Sequence, residues 1–152
     1  SQYDGGKLVV DFQIMWHTDD TLSILYNAEF NGGMYPSEHI FTTNIDLRNG
    51  EEITLSDVVV INEDFVKKLK NSPYLDSENP SSPNKEKQVA VLDYLNNIPV
   101  AELVSALKHA DEVSTDTNPY SVYSYIQGDS VVVSIGVPHA LGDHAEFRIS
   151  LD

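Results

Sequence analysis

The sequence contains no cysteine, which excludes disulfide bonds, thiolate nucleophiles and zinc–thiolate sites. Basic side chains are also scarce: nine Lys and Arg stand against 24 Asp and Glu, and the formal net charge is −15 at pH 7. A chain this acidic repels nucleic acid and anionic membrane surfaces, so neither is an expected partner. Basic proteins and cations are attracted instead, although a charge of this size also serves solubility alone.

Long apolar runs are missing as well. No stretch approaches the roughly 20 apolar residues that a membrane-spanning helix requires, so we expect no direct membrane insertion. The sequence shows no signal peptide, but it begins with Ser-Gln-Tyr-Asp-Gly-Gly, as an expressed fragment without its targeting segment would. With 152 residues, of which 41% are hydrophobic, the chain is predicted to form a single domain over residues 1–152.

Alternating apolar and polar side chains predict three strands in the first third of the chain, at residues 7–16, 21–31 and 38–48. The short polar turn at residues 17–20 predicts that the first two strands form an antiparallel hairpin. On these two strands the alternate side chains that share one face are Leu8, Val10, Phe12, Ile14, Leu22, Ile24, Tyr26, Ala28 and Phe30.

The middle of the chain is predicted to be helical. A first helix follows Asn62, which can cap it, and has acids in its first turn and lysines in its last. Two more helices are predicted between about Ser82 and His109, and Pro99 separates them. The Pro- and Ser-rich stretch at about 72–84 is predicted to be an exposed, mobile loop.

Strands are predicted again at the end of the chain, at residues 120–126, 131–137 and 144–151. The predicted order is therefore β-β-β-α-α-α-β-β-β. Strands that run in two groups around a helical segment favour an α+β fold, with an antiparallel sheet and helices packed on one face.

Several groups of side chains are of the types found in metal sites and catalytic sites, but each has a simpler structural explanation. His139, Asp143 and His144 lie close together and suggest a metal site, yet no His-Glu-x-x-His pair is present and such spacing is common in loops. Neighbouring acids such as Glu51-Glu52 lie at turns and helix starts, where acids are favoured for local reasons. There is no Gly-x-Ser-x-Gly motif and no phosphate-binding loop. We therefore expect no catalytic residue, no metal and no cofactor.

The loop Gly32-Gly33-Met34-Tyr35-Pro36 is the best candidate for ligand contact. A glycine pair between two strands lets the backbone bend or approach a partner closely. Met34 and Tyr35 are then presented at a loop tip, and both residue types are enriched in the cores of protein interfaces. The alternative is that the glycines only make the turn while Tyr35 folds back onto the sheet. Our candidate ligand-binding residues are Gly32, Gly33, Met34 and Tyr35.

One stretch, from Asn44 to Asp57, combines a strand end, the turn pair Asn49-Gly50 and a possible helix start at Ser56-Asp57. It reads Asn-Ile-Asp-Leu-Arg-Asn-Gly-Glu-Glu-Ile-Thr-Leu-Ser-Asp. Together with the preceding Gly-Gly loop and the closing strands, this stretch resembles a bacterial domain of unknown function. That domain occurs in the extracytoplasmic part of the lysozyme-sensing anti-sigma factor and beside peptidoglycan deacetylase domains. The resemblance covers roughly Leu22 to Leu151.

The resemblance implies a non-catalytic, extracytoplasmic module that belongs to a secreted, lipid-anchored or membrane-anchored bacterial protein and binds a protein or a cell-wall glycan. The family reads Gly-Gly-Ala-His where this chain has Gly32-Gly33-Met34-Tyr35, so no role of that histidine is carried over. The long loop at 72–84 is not a family feature either. Two alternatives stay open: an enzyme that acts on cell-wall glycan, and a structural part of a larger surface protein.

Overall fold

Two antiparallel four-stranded sheets and four α-helices form residues 5–152, the part of the chain that this computed structural model describes. The first four residues of the predicted domain lie outside this range. The strands are β1 Lys7–His17, β2 Thr21–Asn31, β3 Ser37–Asp46, β4 Glu51–Glu52, β5 Tyr74–Leu75, β6 Tyr123–Gln127, β7 Ser130–Gly136 and β8 His144–Ser150. The helices are α1 Leu55–Val58, α2 Glu63–Lys70, α3 Lys85–Asn96 and α4 Val100–Lys108, and a 3₁₀ turn spans His139–Leu141.

The elements form three layers. The first sheet has the order β1-β2-β3-β4, and the second has the order β5-β8-β7-β6. Alternate side chains of β7 point to opposite sides of the second sheet: Val131 and Val133 contact the helical core, whereas Val132 contacts residues of the first sheet. The second sheet is thus covered on both faces, which explains why β7 reads as a continuous apolar run.

The predicted α+β class with antiparallel strands is confirmed, and the helices pack on one face of a sheet. The strands are divided between two sheets, however, because the hairpin β1-β2 and strand β3 pair only among themselves and with β4. Strands β4 and β5, of two residues each, were not predicted, since two residues carry no periodicity of their own.

Local capping explains where the helices begin. The Asn62 side chain accepts a hydrogen bond from the Phe65 N–H at 2.9 Å, as predicted for this cap. Asn84 caps α3 in the same way. The shortest helix, α1, begins with a capping box between Thr54 and Asp57. None of the helices within residues 5–152 is both long and apolar enough to cross a membrane.

The Pro- and Ser-rich stretch 72–84 is partly ordered by local contacts. Tyr74 pairs with Phe147 of β8 and is buried, so the stretch is not exposed throughout. The buried Asp76 carboxylate accepts hydrogen bonds from the N–H groups of Asn84, Glu78 and Asn79. These bonds, with the one from Asn84 first, lower the pKa of Asp76. The mobility of this loop stays a prediction.

Candidate functional site

The residues from Asn44 to Asp57 make turn and cap contacts that stabilise the fold. The Asp46 carboxylate accepts hydrogen bonds from the backbone N–H and the guanidinium of Arg48 at 2.7–3.0 Å. The side-chain hydrogen bond with Arg48 is the main reason that the pKa of Asp46 falls to about 2. Gly50 has φ +74°, a left-handed conformation that a residue with a Cβ adopts at a cost, and its N–H donates to Asp46 O. The regularity of this stretch therefore reflects turn and cap chemistry.

A buried polar network joins the two sheets behind this motif. The Asn44 side chain donates to the Ser124 carbonyl at 2.8 Å and accepts from the Ser23 hydroxyl at 2.5 Å. Asp111 accepts four hydrogen bonds, from the N–H and hydroxyl of Ser124, the Leu55 N–H and the Thr42 hydroxyl. Burial raises the pKa of Asp111, and these hydrogen bonds offset part of the increase. This network fixes the position of β3 and α1 against β6.

The predicted ligand loop lies beside the start of β8. Met34 is 89% exposed and Tyr35 is 65% exposed. The Tyr35 ring stacks on the His139 ring, with 5.7 Å between centroids and 22° between planes. Gly32 packs against the Phe30 ring, where an added Cβ would come within 2.4 Å of it, whereas a Cβ on Gly33 would meet only the Tyr35 carbonyl oxygen, at 3.9 Å. The structure thus keeps the loop exposed and orients Tyr35 toward the loop between β7 and β8 rather than back onto its own sheet.

Of His139, Asp143 and His144, the residues of the metal hypothesis, the first two contact each other, whereas His144 has other partners. His139 Nδ1 hydrogen-bonds Asp143 Oδ1 at 2.9 Å, while Asp143 Oδ2 accepts the Glu38 N–H at 2.9 Å. Burial opposes ionisation of Asp143, but these two hydrogen bonds, together with the charges of His139 and His144, outweigh burial and lower the pKa of Asp143. Within residues 5–152, no three His, Asp or Glu side chains are grouped so as to hold a metal ion.

His144 is the centre of a charged cluster that joins the two sheets. Its Nδ1 hydrogen-bonds Glu146 Oε1 at 2.6 Å, and its Nε2 lies 3.5 Å from Glu38 Oε2 on β3. The His144 and Glu146 side chains are each only 10% exposed. Burial lowers the pKa of His144, but the hydrogen bond and charge of Glu146, followed by Glu38, outweigh burial and raise it. Two acids on different sheets therefore hold this imidazole in its protonated form to a higher pH.

His144 lines the two larger clefts described next. The first, of about 420 Å³, has an aromatic wall and an acidic margin. The Ser134 hydroxyl lines it and, among the described side chains, has no hydrogen-bond partner. Phe41, Tyr94, Tyr120 and Tyr123 form the aromatic wall, and Glu38 and Asp143 form the acidic margin. Aromatic faces beside carboxylates are a favourable environment for an ammonium or guanidinium group.

The second cleft, of about 750 Å³, lies between the two sheets. Burial raises the pKa of both Tyr74 and Tyr125 to about 12, so both phenols stay protonated at neutral pH. The wall of this second cleft combines apolar side chains with side-chain amides. The amides are Gln13, Asn27 and Gln127, and the guanidinium of Arg148 donates to Gln127 Oε1 at 3.0 Å. A mostly apolar cleft with a few polar groups is typical of small-ligand sites.

Comparisons with known proteins support the fold. Neither the scan against protein-family models nor the search of curated proteins found a match. Among solved structures, the chain is similar to a DUF3298 family protein from Pseudomonas aeruginosa PAO1, with 16% sequence identity and a TM-score of 0.50. The match covers 94% of this chain and 57% of that one. At this identity the likeness concerns the fold, which resembles that of a bacterial domain of unknown function.

Proposed function

We propose that this chain is a non-catalytic, extracytoplasmic binding module of a bacterial cell-surface protein, and that its ligand is a basic, lysozyme-like protein. The observation that carries the proposal is the pairing of the exposed Met34-Tyr35 tip with the adjacent cleft of about 420 Å³. The Tyr35 ring stacks on His139, and His139 hydrogen-bonds Asp143, which lines that cleft. The tip supplies an interface anchor, and the aromatic and acidic cleft suits a Lys or Arg side chain.

The charge of −15 supports a basic partner, because long-range attraction speeds the association of oppositely charged proteins. Charge alone gives weak binding that salt abolishes, so specific binding needs anchors such as Tyr35. The arrangement of carboxylates also supports a binding role. Glu38 and Glu146 both face the same imidazole, whereas a glycosidase needs two carboxylates that face each other across the substrate.

Replacing Tyr35 with alanine is expected to weaken binding to hen-type lysozyme at least tenfold, because an exposed aromatic anchor is lost. Isothermal titration in about 0.15 M NaCl measures the effect, since surface attraction is largely screened there. Val60→Ala is the matched control: Val60 is 80% exposed but lies beside Ser150, at the opposite end of β8 from His144. Equal affinities for the wild type and Tyr35→Ala, or wild-type binding that disappears at this salt concentration, would contradict the proposal.

A cell-wall glycan is the second candidate ligand, and the inter-sheet cleft of about 750 Å³ favours it. Sugar rings bind through apolar contacts to aromatic side chains and through hydrogen bonds to amides, and this cleft offers both. Gln127→Ala is expected to weaken binding of soluble peptidoglycan fragments several-fold, while Tyr35→Ala leaves it unchanged. Titration of both variants separates the two ligands. Loss of glycan binding in Tyr35→Ala alone would argue against the cleft.

A further inference from the structure

The first sheet packs one face against the second sheet and leaves an apolar face exposed on its other side. We define the outer face as the side chains of β1 and β2 that point away from the second sheet. Those side chains are Leu8, Val10, Phe12, Ile14, Leu22, Ile24, Tyr26, Ala28 and Phe30. His17, which lies opposite Leu22, also belongs to this face, and no Asp, Glu, Lys or Arg side chain of β1 or β2 does. The charged residues of these two strands, Lys7, Asp11 and Glu29, all alternate onto the side that faces the second sheet.

The pairing register of β1 with β2 shows that the outer face is continuous. Leu8 lies opposite Phe30, Phe12 opposite Tyr26, and Ile14 opposite Ile24. On the inner side, Leu25 packs with residues of the second sheet, and the Ser23 hydroxyl accepts the Ile126 N–H at 2.9 Å. The orientation of the two faces is therefore fixed by contacts, and the apolar outer face is exposed along β1, whereas Ala28 of β2 is buried.

The exposed area of the outer face is large for a surface patch. Leu8 and Phe12 are each 61% exposed, Ile14 is 57%, Val10 is 54% and Phe30 is 39%. Aromatic side chains offer roughly 150–250 Å² each and aliphatic ones somewhat less, so the face exposes on the order of 600 Å² of apolar area. The largest apolar patch on a typical monomer is about 300–600 Å², and a standard interface buries about 800 Å² per partner. The outer face is therefore at the upper end of the range for a monomer, and its area approaches that of a standard interface.

We infer that the outer face is the interface of a symmetric homodimer, in which the first sheets of two copies pack face to face. Self-packing suits this face because it carries no formal charge, so two copies bury no unpaired ion when they meet. A basic partner would need acidic side chains on the face itself, and there are none. Antiparallel sheets that pack face to face lie about 10 Å apart and interdigitate their apolar side chains.

The charge of the chain predicts how this dimer responds to salt. Each copy carries −15, so association brings like charges together at the margins, for example Asp19 and Asp20 in the turn between β1 and β2. Raising NaCl from about 0.05 M to 0.3 M screens this repulsion and is expected to strengthen the dimer severalfold. The response is opposite in sign to that of binding to a basic protein, which distinguishes this inference from the proposed function.

Sedimentation equilibrium of the purified chain tests the inference. In about 0.15 M NaCl we expect a monomer–dimer equilibrium with Kd in the micromolar range, and a Kd at least about 30-fold weaker for Phe12→Asp, which places a charge in the centre of the face. Val60→Asp adds the same charge to the helical side of the molecule and is expected to dimerise like the wild type. A wild type that stays monomeric at about 200 μM, open-ended association, or an unchanged Kd for Phe12→Asp would each overturn the inference.

A cross-linking experiment keeps the test informative if Phe12→Asp misfolds. Because the chain has no cysteine, Val10→Cys introduces a single thiol on the outer face. A short bis-maleimide is expected to convert Val10→Cys to covalent dimer at least about tenfold faster than Val60→Cys, a control with an exposed thiol elsewhere. Equal rates for the two variants would place the contact away from the outer face and overturn the inference.

Discussion

Replacing Asp111 with alanine is expected to lower the free energy of unfolding by about 4 kcal/mol or more, because several buried donors lose their acceptor at once. Asp111 accepts hydrogen bonds from Ser124, Leu55 and Thr42, which belong to β6, α1 and β3. The Ser124 N–H and Leu55 N–H would stay buried without a partner in the variant. Chemical denaturation followed by circular dichroism measures the loss.

Asp111→Asn is the matched variant for this prediction. Asp111 has φ +72°, and Asn tolerates that left-handed conformation as well as Asp does, so the backbone is preserved. The amide NH₂ would face donors where a carboxylate oxygen now accepts, and a loss of about 2 kcal/mol is expected. Asp116→Ala, an exposed site in the same connection, is expected to change little. If Asp111→Ala were no less stable than Asp116→Ala, the network would not hold the layers together.

Replacing His144 with leucine is expected to destabilise the protein by about 3 kcal/mol at pH 6, because Glu146 loses its partner while it remains buried. The effect depends on pH. The pKa of His144 is raised in the folded state, so the stability that its protonation contributes is fully present below its unfolded pKa and is lost as pH rises through the folded value. The difference between wild type and His144→Leu is therefore expected to shrink between pH 6 and pH 9.

The measurement is confined to pH 5.5 and above, because other ionisable side chains surround His144. Glu38 on β3, Glu146 on β8, and Asp143 with its His139 partner are the charged groups around this imidazole. The exposed pair His109–Glu112 provides the control: His109→Leu is expected to change the free energy of unfolding little, because an exposed ion pair contributes little to stability. A His144→Leu effect that stayed constant from pH 6 to pH 9 would contradict the assignment of the charge to this residue.

The predicted candidate site was partly accessible from the sequence. The exposed loop from Gly32 to Tyr35 could be predicted, since glycine pairs between strands mark turns and their tips are exposed. The stacking of Tyr35 on His139 could not, because the two residues are more than 100 positions apart. His144 and Glu146 did carry a signal that was missed: residues two apart on a predicted strand share a face. Their third partner, Glu38, lies on the other sheet, so no local pattern in the sequence indicated this contact.

The resemblance to a bacterial domain of unknown function rested mainly on Asn44 to Asp57, and the structure explains that stretch without a ligand. Asp46, Gly50 and the Thr54–Asp57 box follow from chemistry within a few residues, so their roles as turn and cap residues could be predicted. Asn44 is different. Its amide binds Ser23 and the Ser124 carbonyl, neither of which is close in sequence.

The sequence by itself determined the longer strands and helices and the α+β class, because strand alternation, helix capping and turn residues act over a few positions. It determined which side chains of β1 share a face, since that follows from a period of two. Only the tertiary structure decided how the strands divide between two sheets and which face of β1 turns inward. The same alternation permits either side to be buried, and the choice depends on pairing and packing between distant segments. Here the inward side carries Asp11 and Gln13, and Leu8, Val10, Phe12 and Ile14 are left to face outward.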